Sequence, residues 1–203
     1  LASAQILMEQ QKVESGQPIR FQSRSGELTC TQADLGITLD FPATPPIDDV
    51  EMQLAKSLLD ALGIHDGGVM RSKFDFLVIA KDAQVVESLA PNFSVLEAID
   101  TRGVMVSALA RDPHHDFISR FFAPACGINE DPVTGSAHCC LAPYWAQRLG
   151  KNSLVGYQAS RRGGTVCCEV AGDRVRLTGT AITMMEGRLR SEPSTADSDS
   201  NRS

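Results

Sequence analysis

The sequence has no basic excess. Its 203 residues carry 19 Lys and Arg against 25 Asp and Glu, a formal net charge of −6. A surface that binds nucleic-acid phosphates is usually rich in Lys and Arg, so nucleic acid is not an expected partner. There is no run of about 18 apolar residues, so no membrane-spanning helix, and no membrane partner, is expected. The opening LASAQILMEQ lacks the charged start and long apolar stretch of a secretory signal. The six cysteines, at 30, 126, 139, 140, 167 and 168, form no C-x-x-C pair, so no metal site is expected. They read as reduced, mostly buried thiols in a cytoplasmic protein. No Ser, Thr, Asp or Asn precedes Leu1, so LASAQILMEQQKVESGQ reads as the back half of a helix whose front is missing.

What is present is a mixed pattern. IRFQSRSGELTCTQ and GITLDFP read as strands, with Gly26 and ADLG as turns. ATPPIDD breaks the chain, and Asp48 or Asp49 is placed to cap the helix VEMQLAKSLLDALG, which Gly63 ends. FDFLVIA and GVMVSALA are strands of the buried type, separated by one or two short helices interrupted at Pro91. After a helix ending near Gly150 come LVGYQAS, GGTVCCEV, RVRLTG and TAITMMEGRLR, with AGD as a hairpin turn. The polar tail SEPSTADSDSNRS is expected to be disordered. Many strands and few helices make the fold class α+β.

The informative stretch is NEDPVTGSAHCCLAPYWAQ, residues 129–147. The helix after Gly135 has no charged face up to Ala146, and a helix that is apolar all round is buried all round. A sheet wrapped around it is the natural housing. Pro143 removes a backbone donor and should bend the helix or loosen a turn. The first-turn N–H groups of such a helix need partners. Thr134 can cap, and Gly135 lets a ligand approach the backbone. The N–H groups of Gly135, Ser136 and Ala137, with the Ser136 hydroxyl, form a carboxylate cradle. Asp131, held by Pro132, sits within reach as an acid or base. The alternative is an ordinary capped helix in which Asp131 and Thr134 merely satisfy the backbone.

FISRFFAPACGINEDPVTGSAHCCLAPYWA resembles the second-half signature of the phenazine-biosynthesis-like, PhzF-type isomerase family. The order Arg120, Phe122, Pro124, Gly127, Glu130-Asp131-Pro132 and Thr134-Gly135-Ser136-Ala137-His138 follows that pattern. SRRGGTVCCEVAGDRVRLTGTA, with its Arg162-Gly163 step, resembles the closing strands. The resemblance implies a diaminopimelate-epimerase-like fold, two lobes each with a sheet curled around a central helix. The two helix N-termini face each other across a cleft, where small carboxylate-bearing metabolites are isomerised by proton transfer. It implies no cofactor and no metal, and it suggests a homodimer. In the phenazine enzyme the substrate is a dihydro-hydroxyanthranilate, and the assisting Asp and Ser correspond to Asp131 and Ser136. Thr134, Gly135, Ala137, His138, Arg162 and Gly163 are the implied substrate-binding set. For His138 a satisfied core histidine is the competing reading, and for Arg162 a simple turn.

The family's Asn-x-Ser-Glu stretch, with its catalytic glutamate, and its Gly-His-Ala-Thr motif do not occur in the sequence. LASAQILMEQ resembles the helix that follows the latter. The expected organisation is therefore a remnant of an N-terminal lobe over residues 1–45, a nearly complete lobe over 46–190 and a tail over 191–203, with impaired activity. Glu130 is not expected to replace the missing base, because its position next to Asp131 should point it elsewhere. A non-catalytic binding fragment is the alternative. Cysteine-based racemisation ranks lower because Asp131 stands at the comparable place, leaving Cys126 and Cys139 as bystanders. His114 and His115, in an Asp-Pro turn, read as solvated surface. Tyr144 and Trp145 read as packing residues between helix and sheet.

Overall fold

The runs Phe76–Ala80 (β5), Val104–Leu109 (β6) and Phe117–Phe122 (β7) are almost continuously apolar because both faces of these strands are covered. Leu77, Met105, Phe117 and Phe121 face one side, while Phe76, Val78, Val104, Val106, Ile118 and Phe122 face the other. The structure, a computed structural model, describes residues 1–14, 16–23 and 26–187. The other strands are Ile19–Ser23 (β1), Gly26–Ala33 (β2), Gly36–Pro42 (β3), Gly67–Arg71 (β4), Ser153–Gln158 (β8), Gly164–Ala171 (β9) and Arg174–Gly179 (β10). All ten lie in one sheet, in the order β1-β2-β3-β10-β9-β8-β7-β6-β5-β4. Only β5–β6 and β7–β8 are parallel. Parallel neighbours need a long crossover. The first uses the short helices Ala83–Ser88 (α3) and Phe93–Glu97 (α4), and the second uses Gly135–Leu149 (α5).

Helix α5 is the centre of the fold. Ala137 through Ala142, Tyr144, Trp145 and Ala146 are buried against residues of β5 through β10. Trp145 stacks on Phe117 with ring centroids 6.1 Å apart, and its indole N–H donates to Ser107 Oγ at 3.0 Å. Each such aromatic or Leu side chain buried contributes about 1.5–3 kcal/mol. Pro143 sits inside the helix without ending it. The carbonyl its absent N–H would have met, that of Cys139, accepts instead from the Thr44 N–H at 3.0 Å. On the outer face, Met52–Leu62 (α2), α3 and α4 cover β5 to β7. The helix Ala2–Glu9 (α1) packs on Ile19, Cys30 and Ile37. The architecture is α+β, a sheet curled around a central helix, and unclosed, with β1 and β4 as its edges. Among the described residues no helix is long and apolar enough to cross a membrane.

Some local expectations change. Strand β4 was not legible, since GGVMR offers two glycines and little alternation. Residues 180–187, expected to start a strand, form none, and Ile182, Met184 and Met185 are exposed. Both sides of β10 are already paired, to β3 and β9, so no sheet edge lies beside it. The rest of that run and the tail over 191–203 lie outside the described residues. Neither Asp48 nor Asp49 caps α2; Glu51 holds the N-cap position without a side-chain bond. Strand β3, which precedes residue 45, pairs with β10 from Ile37 to Pro42, and β1 to β3 lie in the same sheet as the other strands. All six cysteines are free thiols, four of them buried.

Candidate active site at the start of the central helix

The loop before α5 is held on every side. The Asp131 N–H donates to the Phe121 carbonyl at 3.0 Å, tying the loop to the end of β7. Ser160 Oγ donates to the Pro132 carbonyl at 2.7 Å. Gly164 lies so close to Val133 that a Cβ there would sit 2.3 Å from a Val133 methyl. Gln158, fully buried at the end of β8, donates to the Asp131 carbonyl at 2.7 Å and accepts the Thr134 N–H at 2.8 Å.

Thr134 holds the N-cap position, but its hydroxyl does not cap α5. It donates to Asp131 Oδ2 at 2.5 Å and accepts from Gln158 Nε2 at 3.1 Å. The N–H groups of Gly135, Ser136 and Ala137 therefore find no partner among the described residues. Ser136 and Gly135 are partly exposed, so this helix end opens to solvent. It combines unpaired donors with the positive end of the helix dipole, an arrangement suited to an anion.

Two residues that sequence reasoning did not identify complete the mouth. Arg102 donates to Ser136 Oγ at 3.0 Å. It also makes a two-pronged pair with Asp75, whose side chain is 2% exposed against 40% for Arg102. That carboxylate raises the guanidinium pKa further above its ordinary value, and the ring of Phe74 lies 5.2 Å from the guanidinium carbon. Because Ser136 Oγ accepts from Arg102, its own proton is left to donate outward.

The remaining predicted residues separate. Ala137 is buried, so its backbone rather than its side chain is offered to the mouth. His138 is fully buried beneath the helix start, its Nδ1 2.8 Å from the Thr134 carbonyl. Burial pushes its pKa below the ordinary value, so the ring is neutral and donates from Nδ1. This is the core placement rather than a ligand-facing one. Arg162 is exposed and lines an open groove of about 510 Å³ with Glu130, Pro132, Ser160 and Arg161. Gly163 has a φ of 72° and sits where a Cβ would meet the Tyr157 hydroxyl at 2.5 Å, so the turn itself demands glycine. Glu130 turns away from the mouth, its carboxylate held by Arg120 at 2.6 and 3.0 Å. His115, expected in solvent, instead bonds Asp112 and, at 3.1 Å, Thr165 Oγ1. Burial pushes the Cys139 thiol up to about 12, so it is no thiolate near neutral pH.

Comparison with known proteins places the chain in a family. The model of the family described as "Phenazine biosynthesis-like protein" matches residues 1–187. An uncharacterized isomerase from Halalkalibacterium halodurans is 47% identical over 189 residues, covering 93% of this chain and 71% of the relative. The crystal structure of a phenazine biosynthesis protein of the PhzF family from Enterococcus faecalis superposes with a TM-score of 0.78 at 39% identity, over 89% of this chain and 67% of that one. A predicted epimerase from Pseudomonas aeruginosa shares the fold, with a TM-score of 0.65 at 17% identity, over 95% of this chain and 73% of its own.

Proposed function

Because the chain belongs to the phenazine biosynthesis-like family, whose relatives include named isomerases, we propose that it moves a proton within a small carboxylate-bearing metabolite by general acid–base catalysis. The observation that carries this reading is the uncapped start of α5 beside Asp131. A substrate carboxylate accepts from the N–H groups of Gly135, Ser136 and Ala137 and from the Ser136 hydroxyl, which Arg102 polarises. Thr134 occupies one oxygen of Asp131, Oδ2, so the other, Oδ1, is the one that takes or returns a proton at a neighbouring carbon. Arg162 and the groove beside Pro132 serve the distal part of the substrate.

A proton-shuttling isomerase also needs a second group to complete the transfer. Arg120 engages Glu130, so these residues offer Asp131 as the working acid of this helix mouth. The 203 residues alone are therefore expected to exchange protons slowly. The test is deuterium incorporation from D2O into a panel of small carboxylic acids. Slow exchange that falls by a further ~100- to 10,000-fold in Asp131→Asn supports the reading. Acid binding with no exchange in either protein favours the second reading, a ligand-binding module without turnover, to which the engagement of Glu130 also points.

A further inference from the structure

We propose that Gln158 is the positioning residue of this site, keeping the Thr134 hydroxyl on Asp131 and off the end of α5; the functional part of this inference rests on the reading above of Asp131 and the helix start. A threonine hydroxyl has one proton and two lone pairs. The Gln158 Nε2 can only donate, so at 3.1 Å it takes a lone pair of Thr134 Oγ1. The hydroxyl proton then goes to Asp131 Oδ2. Oε1 of the same amide fixes the Thr134 N–H at 2.8 Å, and Nε2 also holds the Asp131 carbonyl at 2.7 Å. Gln158 is fully buried with both ends of its amide in use, so it cannot swing away without leaving buried groups unpaired.

The consequence lies at the helix end. Thr134 has the extended backbone of a capping residue, with φ −109° and ψ 104°. Threonine in that position normally accepts from the second or third helical N–H, here Ser136 or Ala137. Rotation about χ1 would move the hydroxyl toward them and close the anion cradle. Gln158 holds the oxygen elsewhere. One buried amide thus performs two tasks, orienting the acid and leaving the helix N–H groups free for a ligand.

The test uses the full chain and Gln158→Met, Thr134→Val and the double variant, each first checked for a cooperative melt. Amide hydrogen exchange at Ser136 and Ala137 reads the cap without any ligand. Gln158→Met should slow exchange at one of these amides at least tenfold, because the freed hydroxyl caps the helix. The double variant, which has no hydroxyl, should return it to the native rate. Acetate, titrated as the probe, should bind at least tenfold more weakly to Gln158→Met, and the double variant should recover the native affinity. Exchange at both amides unchanged in Gln158→Met, or slowed equally in the double variant, overturns the inference. A cap that switches as described in a protein whose amides never respond to acetate upholds the positioning role and overturns the carboxylate reading instead.

Discussion

Gly135→Ala should make the protein slightly more stable and a worse binder of acids. Gly135 is the first residue of α5, and its backbone is not in the left-handed region, so alanine can adopt it. A Cβ built there meets only Leu177 Cδ1 within 4 Å, at 3.9 Å, an ordinary van der Waals contact. Replacing glycine by alanine at a compatible site stabilises by about 0.4–1 kcal/mol, mainly by restricting the unfolded chain. In a domain of this size that raises Tm by roughly 1–4 °C. The same methyl group stands at the uncapped helix end, where the ligand oxygens must approach the N–H groups. Losing one charge-assisted hydrogen bond costs about 1.5–3 kcal/mol, or roughly ten- to a hundredfold in Kd. Differential scanning calorimetry and titration calorimetry with acetate and benzoate read the two effects separately. Native acid affinity in a protein stabilised as described would refute the placement of the ligand at this helix end. Destabilisation by more than about 1 kcal/mol would refute the claim that the space beside Gly135 is open.

Arg102→Ala strands the buried Asp75 carboxylate and should destabilise by roughly 3–5 kcal/mol, while Asp75→Asn, which leaves Arg102 partly in water, should cost less; urea melts give the order. Gly164→Ala forces a methyl into Val133 and should cost about 1–3 kcal/mol, with recovery in the Gly164→Ala, Val133→Ala double variant measured by the same melts. His138 is held neutral with its pKa below the ordinary 6.5, so the unfolded chain binds the extra proton first. Stability should therefore fall as pH drops below about 6.5 toward the lower folded-state value, and melts of His138→Gln between pH 5 and 8 should lose that slope.

Much of this was legible in the sequence, for reasons that can be stated residue by residue. An apolar run without a charged face from Ala137 to Ala146 requires burial on all sides, and α5 lies inside the curl of the sheet. Gly63 and Gly150 end α2 and α5 in the left-handed conformation expected of them. Asp131, Thr134, Gly135 and Ser136 come together because they are neighbours in the chain. Arg102 and Asp75 were not legible, because Arg102 reaches Ser136, and Asp75 reaches Arg102, from loops far away in sequence that only the sheet brings close. Gln158 left a fainter trace. Leu154, Gly156 and Gln158 are the inward positions of β8, so a glutamine there is a polar residue on a core face and must have partners. The capping role read for Thr134 followed local rules and changed because Gln158 and Asp131 take its hydroxyl instead. Residues 180–187 carry a strand-like composition, yet composition cannot reveal that both neighbours of β10 are already in place.

The anion site at the start of α5 is tested most directly by where a small acid binds. A residue-by-residue NMR titration of the backbone amides with acetate and benzoate measures that. Saturable shifts centred on the amides of Gly135, Ser136 and Ala137 are expected, with binding weakened at least tenfold in Ser136→Ala. Shifts centred on the groove at Arg161 and Arg162 with residues 135–137 silent, or saturation unaffected by Ser136→Ala, would contradict it.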